Sequence, residues 1–200
     1  KGKRIVVTAG GNLEAIDPVR FIGNRSSGKM GFRLAEAAAK RGAEVDLIYG
    51  NVSVSLPRDA RIHLHPALSA QAMLEKLKEL FPAADALLMA AAVSDWRPKE
   101  AADHKLKKQA GVEEMTLQLV KNPDLLKTMA QKKRPDQVVI GFAAETNDLL
   151  ANASRKLAEK GADLIVANDV SGDAFGGDED QVTILEQGKE LDPWPRMSKQ

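Results

Sequence analysis

Residues 4–11 read Arg4-Ile5-Val6-Val7-Thr8-Ala9-Gly10-Gly11, a β-branched apolar run that stops at small residues. An apolar run without polar alternation is the pattern of a strand buried on both faces. From Gly28 to Lys40 the period changes: Met30, Phe32, Leu34, Ala37 and Ala38 recur at helical spacing, and Gly42 supplies a stop. A doubly buried strand followed by an amphipathic helix is the opening of a crossover unit.

The alternation continues outward from there. Val45 to Tyr49 reads as a second strand and Arg61 to His65 as a weaker third. A helix is predicted from about Ser69 to Phe81, with Ser69 as N-cap and Ala70, Met73, Leu74, Leu77 and Leu80 as its apolar stripe. Asp85 to Ala92 is another buried strand, after which a polar, Lys-rich stretch from Ser94 to Gly111 interrupts the pattern. Met115 to Val120 alternates like a strand. Asn122-Pro123-Asp124 then combines an N-cap residue, a proline at the first helical position and an acid in the first turn, ahead of a helix reaching about Gln131. Gln137 to Phe142, Ala162 to Ala167 and Val182 to Leu185 read as strands, with a helix from Asn147 to Lys160 between the first two. Alternating strands and helices predict a three-layer, Rossmann-like α/β fold, a mostly parallel sheet with helices on both faces.

The chain has 200 residues, the size of one domain. Hydrophobic residues make up 44% and charged residues 28%, the balance of an ordinary globular chain. Lys plus Arg total 29 against 28 acids, a formal net charge of +1, which argues against a dedicated nucleic-acid binder. Cysteine is absent, so disulfides, thiolate metal sites and a cysteine nucleophile are excluded. No apolar run approaches the ~18 residues of a membrane span. The first residue is Lys1 rather than Met, so a longer polypeptide with a neighbouring domain is expected.

Ligands of open parallel sheets bind outside the carboxyl ends of the strands. Those ends are Thr8 to Asn12, Ala91 to Asp95, Gly141 to Thr146 and Ala167 to Asp169, each small residues followed by polar ones. Tight turns favour the same residues, but several such ends together favour a nucleotide-sized crevice. After the first strand, Ile16 to Gly31 carries Asn24, Ser26, Ser27 and Gly28 just ahead of a helix N-terminus, where backbone N–H groups attract an anion. Ser26 or Ser27 as a plain N-cap is the alternative. Gly23 to Met30 spells G-x-x-x-x-G-K, but Met30 stands where a phosphate-binding loop has its Ser/Thr and no apolar strand leads directly into it. The dinucleotide fingerprint G-x-G-x-x-G is missing after the first strand. Asp103 to Gln109 is a basic run, either a solvated face or a cationic loop over reacting phosphates. Lys156 and Lys160 share a helix face, and Trp96 and Phe142 follow strand ends, where they can pack or flank a base. His63 and His65 point the same way on a weak strand and read as structural.

The stretch from Ile16-Asp17-Pro18-Val19-Arg20 through Asn24-Arg25-Ser26-Ser27-Gly28-Lys29-Met30-Gly31 resembles the signature of the bacterial phosphopantothenoylcysteine synthetase (phosphopantothenate-cysteine ligase) family. The resemblance extends to Ala90 to Asp95, Lys105 to Lys108, Lys121 to Asp124, Gly141 to Thr146 and Ala167 to Val170, in family order across nearly the whole chain. It implies a cytoplasmic homodimeric ligase that uses CTP and Mg²⁺ to join phosphopantothenate to L-cysteine through an acyl-cytidylate, releasing CMP and pyrophosphate in coenzyme A biosynthesis. It implies catalytic roles for Asn24, Arg20 and Lys105, and nucleotide contacts at Met89, Ala90, Ala91, Asp95, Lys105, Pro123, Asp124, Leu125, Leu126, Phe142, Lys156 and Lys160. The acyl-cytidylate loop falls on Asn24, Ser26, Ser27 and Gly28, and no metal ligands are assigned. It further implies one ligase domain over residues 1–200, a flexible loop at about 96–111, a dimerisation ribbon at about 107–120, and fusion to a flavin-dependent phosphopantothenoylcysteine decarboxylase. Asn12 stands where the family usually has a threonine near the phosphates. Small residues and backbone contacts suit cytosine or adenine alike, so CTP rests on the resemblance. A nicotinamide-dependent reductase of Rossmann type and a nucleotide-binding module without turnover are the rival readings.

Overall fold

The computed structural model describes residues 2–107, 111, 113–145, 148–169, 179–180, 182–186, 189–190 and 197–198. In chain order its strands are β1 (Arg4–Ala9), β2 (Leu13–Ala15), β3 (Phe21–Gly23), β4 (Glu44–Tyr49), β5 (Ile62–Pro66), β6 (Ala86–Met89), β7 (Trp96–Pro98), β8 (Leu119–Lys121), β9 (Val138–Glu145), β10 (Leu164–Asp169), β11 (Glu179–Asp180), β12 (Val182–Glu186), β13 (Lys189–Glu190) and β14 (Met197–Ser198). The helices are α1 (Lys29–Lys40), α2 (Ala70–Leu80), α3 (Leu125–Lys132) and α4 (Leu149–Lys160).

Among the described residues the central sheet has eight strands in the order β13-β12-β10-β9-β6-β1-β4-β5. Pairing is parallel from β5 through β10, and β12 and β13 are added antiparallel at one edge. Strand β1 lies inside the sheet, between β6 and β4, and the chain extends from it in opposite directions, first through α1 to β4 and later to β6. That reversal is the topological switch of a doubly wound fold.

Strand β1 explains why its sequence does not alternate. Val7 and Ala9 pack on one face with Phe32, Ala35 and Ala39 of α1 and Val45 and Leu47 of β4, while Val6 packs on the other in a larger cluster. That second cluster joins Met73, Leu74 and Leu77 of α2, Leu126 and Met129 of α3 and Leu157 of α4 to Leu87, Val139 and Ile165 of the sheet. Both faces are therefore covered, as expected for a parallel sheet. Helix α1 sits unusually close to β1: a Cβ on Gly31 would come within 2.5 Å of the Ala9 Cβ and 2.8 Å of the Thr8 carbonyl oxygen.

Several expectations need correction. The stretch Met115 to Val120 is not a strand throughout; the ladder with β7 begins at Leu119, and only the Gln118 carbonyl, which accepts from the Lys99 N–H at 2.9 Å, extends it backward. Asn122 is not the cap of α3. Its side chain is occupied elsewhere, and Asp124 caps the helix by accepting from the Lys127 N–H at 3.0 Å. Neither Ser26 nor Ser27 caps α1; the N-cap is Gly28, left-handed at φ 83° with no side-chain cap. Two antiparallel pairs lie outside the central sheet, β2–β3 and β7–β8, and of these strands only β8 falls in a stretch expected as strand. Lys108, Gln109, Thr146, Asn147 and Val170 lie outside the described residues. His63 and His65 on β5 pair with Glu44 and Asp46 of β4 at 3.2 and 2.9 Å, a structural use. Among the described residues no helix is long and apolar enough to cross a membrane.

Candidate active site

A crevice of about 700 Å³ opens at the carboxyl ends of the sheet strands, on the β6 side of the switch. One wall is the turn before α1. Asn24, Ser26, Ser27, Gly28, Lys29, Met30 and Gly31 line it. The serine hydroxyls accept from the Gly28 and Lys29 N–H groups only at 3.4 Å, so the helix start is weakly capped and its dipole faces the crevice. Asn24 reaches the floor, donating from Nδ2 to the Ala92 carbonyl at 2.9 Å.

The floor is the end of β6 and the chain beyond it, Met89 to Trp96. Small residues at Ala90, Ala91 and Ala92 leave backbone open to a ligand. The buried Thr8 hydroxyl fixes this segment by accepting from the Ala91 N–H at 3.1 Å. The far wall comes from Lys121 to Leu126 at the start of α3, Phe142 and Ala143 of β9, Lys156 and Lys160 of α4, and Asn168 of β10. Lys156 donates to the Phe142 carbonyl at 2.7 Å. Lys160 pairs with Asp124. Burial pushes the Asp124 carboxyl up, but hydrogen bonds from Lys160 and the Lys127 N–H outweigh it and hold the group below the usual carboxylate range.

Met89, Ala90, Ala91, Asp95, Pro123, Asp124, Leu125, Leu126, Phe142, Lys156 and Lys160 thus share one crevice with Asn24, Ser26, Ser27 and Gly28. Trp96 lines it as well, with the Lys121 ammonium 5.8 Å from its ring centre. Two singled-out residues do not line it. Lys105 is exposed in the loop after β7, and the Arg20 guanidinium pairs with Asp17 and donates to the Leu106 carbonyl at 2.8 Å.

Asn12 does not line the crevice. It is fully buried, donating to Glu14 at 2.5 Å and accepting from the Ser94 N–H at 2.7 Å. Glu14 is buried too, and accepts from the Ala70 N–H at 2.8 Å at the start of α2 and from Asn122 at 3.2 Å. Asn122 donates in addition to the Ser94 carbonyl at 2.8 Å. The amide therefore sits in a polar brace beneath the floor.

Asn168 lies in one of the strand ends that the sequence marks, without a contact of its own assigned there. Its Oδ1 is buried in the crevice wall with no hydrogen-bond partner among the described residues, an acceptor left for a ligand. The available signal was its place at a strand end, between Ala167 and Asp169. Among the described residues no cluster of three or more His, Asp or Glu gathers to hold a metal by protein ligands alone. Asp95, exposed at the rim and without an ion pair among the described residues, suits the alternative in which a Mg²⁺ ion is shared between one carboxylate and bound phosphates.

The family described as the DNA/pantothenate metabolism flavoprotein C-terminal domain matches residues 1–200. The chain is 47% identical to the coenzyme A biosynthesis bifunctional protein CoaBC of Bacillus subtilis (strain 168), covering 100% of this chain and 48% of that protein. It is 44% identical to the CoaBC protein of Vibrio parahaemolyticus serotype O3:K6, covering 96% of this chain and 48% of that one. It therefore spans about half the length of the curated relatives it matches. The crystal structure of the C-terminal domain of a CoaBC protein superposes with a TM-score of 0.82 at 38% identity, covering all of this chain and 89% of that one.

Proposed function

Because the chain belongs to the DNA/pantothenate metabolism flavoprotein C-terminal domain family, we propose that it is the ligase part of a bifunctional coenzyme A biosynthesis protein, a CTP-dependent phosphopantothenate-cysteine ligase. The observation that carries this is the crevice itself. It sets a weakly capped helix start opposite two lysines, across a floor of small residues and the Phe142 ring, with dimensions and polarity suited to a nucleoside triphosphate beside a second anionic substrate.

In the first step a carboxylate oxygen of phosphopantothenate attacks the α-phosphorus of CTP, and pyrophosphate leaves. In the second the cysteine amine attacks the acyl carbon, the amide forms, and CMP leaves with the amine's proton passed to solvent or buffer. The α1 start and the Ser26 and Ser27 hydroxyls hold phosphate oxygens, and Asn24 donates to the mixed anhydride. Lys156 and Lys160 offset the triphosphate charge, Phe142 and Trp96 flank the base or ribose, and Asn168 accepts from a nucleotide donor group. A Mg²⁺ ion held by Asp95 and the phosphates would neutralise charge on the departing pyrophosphate. Lys105, on the loop at about 96–111, assists the same charge from outside the crevice, and Arg20 lies beside that loop. The ribbon at about 107–120 serves a homodimer, and a flavin-dependent decarboxylase occupies the other half of a cytoplasmic protein.

A coupled pyrophosphate assay with phosphopantothenate and CTP or ATP, with cysteine present or omitted, tests the reading. Pyrophosphate release with CTP that depends on phosphopantothenate is expected, continuing beyond one turnover only with cysteine. Tight CTP binding without release would favour a module without turnover, and saturable NADPH binding in a parallel titration would favour a reductase.

A further inference from the structure

Asp17 is buried in the loop between β2 and β3, and its carboxylate oxygens are held by N–H groups of the chain itself. Oδ1 accepts from the backbone N–H groups of Val19 and Arg20, both at 2.8 Å. Oδ2 accepts from the Arg20 guanidinium, at 3.0 Å from Nε and 2.5 Å from Nη2, and from the Leu106 backbone N–H at 3.1 Å. The Nη2 group of Arg20 also donates to the Leu106 carbonyl at 2.8 Å. One ion pair thus holds both backbone polar groups of a single residue far along the chain. A second tie, from the Ala102 N–H to the Ile16 carbonyl at 2.9 Å, runs between the same two segments.

Leu106 is 37% exposed, so apolar burial of its side chain holds the loop only in part. Charge-assisted hydrogen bonds with bidentate geometry are the strong kind, and here they converge on the residue that follows Lys105. We infer that Asp17 is a positioning residue: with Arg20 it clamps the backbone at Leu106 and so fixes where Lys105 stands, without touching substrate itself. This rests on the role proposed for Lys105 above. It also accounts for Arg20 lying outside the crevice, since its guanidinium is committed to the clamp.

The discriminating variant is Asp17→Asn. Asparagine keeps an acceptor for the Val19 and Arg20 backbone N–H groups, but sets an NH₂ against the Arg20 and Leu106 donors. The expected result is amide exchange at Leu106 and trypsin cleavage after Lys105 and Lys107 both faster by about tenfold or more, with cooperative unfolding retained. Pyrophosphate release should fall by about tenfold to a hundredfold with the KM for CTP little changed, and combining the variant with Lys105→Ala should add no further loss. Unchanged Leu106 exchange would overturn the clamp, and a fully additive double variant would overturn positioning. If Lys105→Ala alone is as active as the parent, the Lys105 role fails, and the clamp is decided by exchange and cleavage. Should Asp17→Asn not fold, Arg20→Lys keeps the charge but loses the fork, and the same exchange and cleavage acceleration is expected from it.

Discussion

Asn24 is a wall residue to which the proposed function also gives a chemical role. Its Nδ2 is bonded to the Ala92 carbonyl in the floor, so Asn24→Asp would set a carboxylate oxygen against that carbonyl and against the phosphate proposed to bind beside it. Pyrophosphate release should drop by about 10²- to 10³-fold, and amide formation from separately supplied acyl-cytidylate should slow as well. If the second step is unchanged, Asn24 acts only on activation. At this scale the sequence was informative where residues sit in short, tight turns at strand ends, which is why most crevice residues were found. It misled where a side chain's target is remote. Asn12 and Asn122 look like phosphate-side and cap residues in sequence, but both turn inward to Glu14 and Ser94. Asn168 stands in a marked strand end, but what singles it out is a buried acceptor with no hydrogen-bond partner among the described residues.

At the scale of elements, strands buried on both faces announce themselves by apolar runs, and β1, β6, β9 and β10 were legible for that reason, as was β4 although Asp46 interrupts it. Strands β2, β3 and β7 were not, because three-residue strands are held by pairing rather than by burial and carry no periodic signal, whereas β8 falls at the end of the alternating stretch Met115 to Val120. The close contact of α1 with β1 gives a sharp test. Gly31→Ala adds one methyl against backbone and should cost about 1–3 kcal/mol from overpacking, seen as a lower thermal midpoint. Because α1 carries the phosphate turn, CTP affinity should weaken as well. Ser69→Ala is the contrasting case. Removing the acceptor for the Ala72 N–H at 3.1 Å should cost about 1 kcal/mol while leaving CTP affinity unchanged, since α2 does not reach the crevice.

Across the whole molecule a formal charge of +1 conceals strongly paired acids. Asp17, Asp59, Asp85 and Asp136 are held below the usual carboxylate range by arginine or lysine hydrogen bonds. Asp46 is pushed up by burial, but Arg4 and His65 outweigh that and lower it. A group depressed in the folded state contributes stability above its unfolded value, and that contribution is lost as pH falls through the folded one. The folding free energy should therefore be level down to about pH 5 and decline steeply below about pH 4, as followed by urea unfolding at stepped pH. Asp46→Asn should flatten part of that decline; an unaltered profile would show that its ion pairs do not contribute.

The position of β1 inside the sheet also has a bearing on synthesis. As the chain emerges, β1, α1, β4 and β5 can assemble one side of the sheet, and the turn proposed to hold phosphate is made early. The opposing wall waits for α3, β9, α4 and β10. A nucleotide can lower the free energy only of a chain in which both sides have met, so ligand present during translation would select for the finished sheet and leave half-made domains unprotected.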